Sequence, residues 1–118
     1  MSGAKVVSIS EVVEGPLCIS AEDGQRVHDV IAARLRAKEP VAVSFAGIET
    51  LISAFLNAAI GQLYGEFSEV TIRELLTVVD MNREDLALLK RVVDNAKMYF
   101  ENRDKVDSAW RDEVGDEE

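Results

Sequence analysis

Val41-Ala42-Val43-Ser44-Phe45-Ala46-Gly47-Ile48-Glu49-Thr50-Leu51-Ile52-Ser53-Ala54-Phe55-Leu56-Asn57-Ala58-Ala59-Ile60-Gly61 is the stretch in which the hydrophobic period changes. Val41 to Phe45 alternate as a half-buried strand does, and Ala46-Gly47 ends the run. From about Thr50 to Gly65 the apolar residues recur at helical spacing. At about 100° per residue, Leu51, Ile52, Phe55, Leu56, Ala59, Ile60 and Leu63 cover a broad apolar arc that must face a core. Thr50, Ser53, Ala54, Asn57, Ala58, Gly61 and Gly65 gather on the opposite side. That side is small, polar and uncharged, whereas a solvated helix face normally carries charge.

Outward from this segment the chain reads as strands alternating with helices. Upstream, Val6–Ile9 and Leu17–Ile19 are short β-prone runs on either side of Glu14-Gly15-Pro16, and the turn signal predicts two strands paired antiparallel. Ser20 can cap a helix whose first turn holds Glu22 and Asp23 and whose apolar face is Val27, Val30, Ile31 and Leu35. Arg34, Arg36 and Lys38 suit its negative end, and Pro40 stops it. Downstream, Ser68-Glu69 begins a short helical turn, and Leu76–Val79 reads as a fourth strand, with a continuing helix as the other reading. Asn82 then caps a last helix with Leu86, Leu89, Val93, Ala96 and Phe100 on one face.

The order β-β-α-β-α-β-α predicts an α/β fold. Right-handed crossovers would make strands two to four parallel, with the first added antiparallel, giving a four-stranded mixed sheet. Val43 and Phe45 fall in a central strand, and Phe55, Leu56 and Ile60 in the core.

A chain of 118 residues is enough for one self-sufficient core. The domain is placed at residues 1–105 and an acidic flexible tail at 106–118, with Trp110 read as packing the end of the last helix back onto the body, a binding role being the other reading. Thirteen basic against twenty-two acidic residues give a net charge of −9, which argues against nucleic acid and anionic membranes as partners. No run reaches the roughly 18 apolar residues of a membrane span, and no secretory segment opens the chain, so a cytoplasmic location is expected. The lone Cys18 sits in an apolar run and reads as a buried reduced thiol.

Residues able to carry catalysis are few. His28 is the only histidine and has no triad partner or nucleophile elbow near it, so a surface or half-buried structural residue is expected rather than a general base. One His and one Cys cannot close a zinc site, no carboxylate loop has Ca²⁺ or Mg²⁺ spacing, and no phosphate-cradling glycine loop occurs. Neither enzyme activity, a cofactor nor a metal is therefore expected. The rival class is a small-ligand binder, or a minor enzyme, using the carboxyl ends of the parallel strands, where Asp80, Glu49 and Asn82 are the polar candidates.

The uncharged side of the second long helix has two readings. It packs beneath another element of the same domain, or it is a docking surface on which Ser53 and Asn57 hydrogen-bond to a partner. The segment from Val43 to Gly61 resembles the centre of an uncharacterised bacterial STAS-like domain family: a strand ending in an aromatic, a Gly-Ile step, then a helix opening Ser-x-Phe-x-Asn and running to a Gly. STAS domains of anti-sigma-factor antagonists are similar in layout, and there a serine at the start of this helix is phosphorylated by a kinase that also docks on it. The resemblance implies a regulatory protein-interaction module, with Thr50, Ser53, Ala54, Asn57 and Gly61 as partner-binding residues. It also implies a histidine-kinase-like ATPase or a transcription regulator as partner. Ala54 stands at the usual phosphorylation position and Ile52 at that of the family's aspartate, which leaves Ser53, or Thr50, as the hydroxyl able to accept phosphate.

Overall fold

The computed structural model describes residues 5–117, with side chains for residues 5–101. Lys5–Ser8 forms β1, and the chain then departs from the expected hairpin, because Ile9–Val13 winds into a helical turn, α1. Ile9 is buried, and Val12 and Val13 pack against the core beside it, the i, i+3, i+4 grouping of a helix rather than the alternation of a strand. Glu14, left-handed at φ 63°, ends the turn and leads into the two-residue strand β2, Leu17–Cys18.

Ser20 caps α2 (Ala21–Arg36) as its sequence predicts, with the Asp23 N–H donating to Ser20 Oγ at 3.0 Å. Val27, Ile31 and Leu35 face inward, whereas Val30, expected on that face, is exposed. The helix ends with Lys38 left-handed at φ 60° and with Lys38 N–H to Leu35 O and Glu39 N–H to Arg34 O, both 3.0 Å. This is a Schellman close with lysine in the position that glycine usually fills.

β3 (Val41–Ser44) follows Pro40 and delivers Phe45 into the core. The helix expected from Thr50 begins later. Thr50–Leu51 is a short strand, β4, and α3 spans Ser53–Ala59 before tightening into a 3-10 segment at Gly61–Gly65. Phe55, Leu56, Ala59, Ile60 and Leu63 are all buried as predicted, but Ile52 is turned out to solvent.

Ser68 then caps α4 (Glu69–Leu75), accepting from the Thr71 N–H at 3.1 Å. β5 (Leu76–Val79) is the predicted strand, and Asn82 caps α5 (Arg83–Glu117), with the Asp85 N–H donating to Asn82 Oδ1 at 2.7 Å. Leu86, expected in the apolar stripe of α5, is exposed. The tail at 106–118 and Trp110 lie outside the described side chains.

The strands form two small parallel sheets rather than one mixed sheet of four. One is ordered β1-β3-β5, with Val43 beside Val7 and Val78, and the other pairs β2 with β4, Cys18 beside Leu51. β1 is thus parallel to β3 and unpaired with β2, because α1 carries the chain away before it can turn back. β3 holds the central place assigned to it. α3 packs against α2 on one side and α5 on another, and a Cβ on Gly24 of α2 would lie 2.5 Å from Phe55 O and 2.8 Å from Ala58 Cβ. Only glycine allows so close an approach.

Candidate functional site

The outer side of α3 divides once its neighbours are in place. Ala58 is half-buried, because it meets the backbone of α2 at Gly24. Gly61 is buried and faces α5, where a Cβ would be 3.6 Å from Ala96 and 3.7 Å from Val92. Gly65 lies directly under the Phe100 ring. Internal packing therefore accounts for those three, and small size is needed at Ala58 and Gly65, whereas a Cβ at Gly61 would make only ordinary contacts.

Ser53, Ala54 and Asn57 are a different matter: all three are exposed. No side-chain oxygen caps α3, whose N-cap is Ile52, so Ser53 occupies the first helical position with its hydroxyl open to solvent. Thr50 is exposed too, but as a strand residue of β4 beside the helix rather than as part of it.

The β2–β4 pair extends this surface. Leu17 pairs with Thr50 and Cys18 with Leu51, and the Ile52 N–H donates to Cys18 O at 3.1 Å. Side chains alternate along a strand, so Cys18 and Leu51 turn inward while Leu17, Ile19, Thr50 and Ile52 turn outward. Leu17 is 44% exposed, Ile19 49% and Ile52 37%, three aliphatic side chains on one small ribbon. Their signal in the sequence is the pair of triplets Leu-Cys-Ile and Thr-Leu-Ile, whose middle residues are the buried ones. It becomes legible only when the two triplets are known to be neighbours.

Cys18 beneath this ribbon is fully buried and unpaired. Burial first, and then the carboxylates of Asp23 and Asp85, push its thiol from 9.0 up to about 12. It is a core residue, as the sequence predicts, and a poor nucleophile at neutral pH.

His28 is more enclosed than expected, at 6% exposure. Its Nε2 lies 2.9 Å from Glu66 Oε1, and its Nδ1 lies 3.1 Å from both Asp29 Oδ1 and Gln25 Nε2. The hydrogen bonds from His28 and Gln25 hold the Asp29 carboxyl below the usual range. The ring ties α2 to the residue just beyond the 3-10 segment, which is a structural task.

At the carboxyl ends of the strands, Ser44 Oγ donates to Asp80 Oδ2 at 2.7 Å and accepts from the Ala46 N–H at 3.2 Å. Asn82 is engaged as the cap of α5, and Glu49 is exposed. The order β1-β3-β5 advances in one direction, without the reversal at which open α/β sheets form a ligand crevice. Among the described residues no group of three His, Cys, Asp or Glu side chains is placed to hold a metal, and no helix is long and apolar enough to cross a membrane.

No curated protein and no solved structure matches the chain. The model of one family, described as a STAS-like domain of unknown function, matches residues 23–86. That span runs from the first turn of α2 to the first turn of α5 and includes β3, β4, α3, α4 and β5. With more than half of its 118 residues matched, the chain belongs to the family of STAS-like domains of unknown function.

Proposed function

We propose that this domain is a regulatory module that docks a signalling protein through the outer face of β2–β4 and the first turns of α3. The observation that carries the reading is the cluster of exposed aliphatic side chains, Leu17, Ile19 and Ile52, next to the uncharged Ser53 and Ala54, with Asn57 exposed one turn further along α3. In a chain with a net charge of −9, a patch that combines apolar anchors with neutral hydrogen-bonding groups has the make-up of an interface centre. Charged residues are depleted where two proteins exclude water, since stranding a charge there is costly.

A histidine-kinase-like ATPase or a transcription regulator is the partner class implied by the likeness to STAS domains. Ser53, exposed at the first position of α3, is the hydroxyl through which phosphorylation would act, because Ala54 has none. Ligand binding at the carboxyl ends of the parallel strands has less support, since Asp80 and Asn82 there are engaged by the fold itself.

The reading is tested by isolating the partner from the source cell on the wild-type domain, then measuring its affinity for Ile52→Asp and Leu17→Asp. Both side chains are exposed, so Leu17→Asp should keep melting within about 0.5 kcal/mol of wild type, while Ile52→Asp, which gives α3 the side-chain cap it lacks, should leave melting unchanged or raised by up to about 1 kcal/mol. Each should weaken the complex by about 2 kcal/mol or more, roughly thirtyfold. A partner that binds both variants as it binds the wild type would place its contact elsewhere and remove this face from consideration.

A further inference from the structure

On the side of the domain formed by the 3-10 segment, α4, β5 and α5 there is a cavity of about 220 Å³. Its floor is aliphatic: Ile60 and Ile72 are buried there, while Leu76, Val78, Leu89 and Val93 line it and remain only half-buried. Four core-facing aliphatic side chains around unfilled space form an apolar container, because each lacks packing partners on the open side.

The mouth is polar and cationic. Lys97 Nζ lies 2.8 Å from Glu69 Oε2, and Arg73 Nη1 lies 3.7 Å from the same oxygen, so two cations share one carboxylate. Lys97 also lies over the Tyr64 ring, 5.9 Å from its centroid, and burial raises the Tyr64 hydroxyl so that it stays a neutral donor. The neighbouring Asp94 is taken by Lys90 at 3.1 Å. Among the residues that line the cavity, Arg73 and Lys97 outnumber Glu69 by one charge, with Asp94 acting on Lys97 from the same helix and Glu101 beside Lys97 in the adjoining groove. The loose contact of Arg73 leaves most of its planar donor fork available for a carboxylate.

We propose that this cavity binds a small amphipathic carboxylic acid, with one ring or a short branched chain on the aliphatic floor and the carboxylate held at the rim by Arg73 and Lys97. The size is appropriate: an apolar cavity of about 150 Å³ accommodates a benzene molecule, so 220 Å³ takes one ring with a short acidic side chain. A purely apolar ligand would leave the rim cations unused. A highly charged one, such as a nucleotide, would have to place polar groups against six aliphatic side chains.

The test uses the full chain, with phenylacetate and 3-phenylpropionate as probes and phenylacetamide as the neutral control, followed by calorimetry and by methyl NMR of Val78 and Val93. The acids are expected to bind at submillimolar to millimolar concentration, shift those methyl signals and raise the melting temperature, with the amide at least about tenfold weaker. Arg73→Gln and Lys97→Gln, both at the rim, should each weaken the acids by about tenfold without changing the fold. Val93→Phe should abolish binding by filling the cavity, and Leu89→Phe does the same from the next turn if the first variant folds poorly. Acid and amide binding equally well would overturn the role of the rim. No binding by either acid, or binding that survives both filling variants, would overturn the site.

Discussion

Lys38 adopts a left-handed φ of 60° to close α2, and that conformation costs a residue with a side chain about 1–2 kcal/mol. Lys38→Gly removes that strain but frees the unfolded chain by about 0.5–1 kcal/mol, so a net gain of about 0.5–1 kcal/mol is expected in denaturant melts. An unchanged or lower midpoint would mean that the aliphatic stem of Lys38 contributes more than its backbone loses. Cys18 gives a second expectation at this scale. Because its thiol is held up at about 12, the stability it contributes is complete below its unfolded value of 9.0 and is lost as pH rises towards 12. At pH 8 a thiol reagent should modify Cys18 only as fast as the core opens; labelling at the rate of a free thiol would show that the sulfur is reachable in the native state.

α2 and α3 approach each other at Gly24, where the obstacles to a side chain are backbone atoms, Phe55 O and Ala59 N, as well as the Ala58 methyl. Gly24→Ala gains about 1 kcal/mol of helix propensity but overpacks by about 1–3 kcal/mol or more. Backbone cannot step aside as a flexible side chain can, so overpacking should win and the variant should lose about 1–2 kcal/mol; a raised melting temperature would refute the close contact. Phe55→Ala, on the facing helix, should cost about 3–5 kcal/mol, because the ring is fully enclosed. Elements of this kind were legible in the sequence where the chemistry is local. Ser20, Ser68 and Asn82 each accept from an N–H three residues on, and such caps can be read from a few neighbouring residues. Partner choice between strands is not local. Val6 to Val13 satisfies strand and helix patterns in turn, and only the burial of Ile9 with Val12 and Val13 shows which prevails. Leu51 and Ile52 fit the period of the helix that follows, so the outward turn of Ile52 stays hidden until β2 is placed beside β4.

Across the whole molecule, α3 divides its work between a side that holds the fold together and a side that holds nothing described. Leu56, Ala59 and Ile60 are enclosed and Ala58 serves a close helix contact, whereas Ser53 and Ala54 face out next to Ile52 and Asn57 is exposed one turn on, at the groove it shares with Asn95 and Tyr99 of α5. A long cation at Asn57 therefore has room in the free domain and none in a complex that covers this face. Asn57→Arg should shift melting by no more than a few degrees, the response to a change of at most about 0.5 kcal/mol, yet weaken partner binding by about 2 kcal/mol, near thirtyfold. Ser53→Ala removes one hydrogen bond and should cost about 1 kcal/mol of binding. Ser53→Glu separates a passive contact from a switch: if phosphate at this position releases the partner, the glutamate variant should weaken binding as much as Asn57→Arg, and if Ser53 is merely one contact among several it should resemble the alanine variant. Measuring melting and affinity on the same three variants keeps the two sides of α3 distinct. An Asn57→Arg domain that unfolds would assign Asn57 to internal packing, and one that binds its partner undiminished would leave the exposed face without the docking role assigned to it.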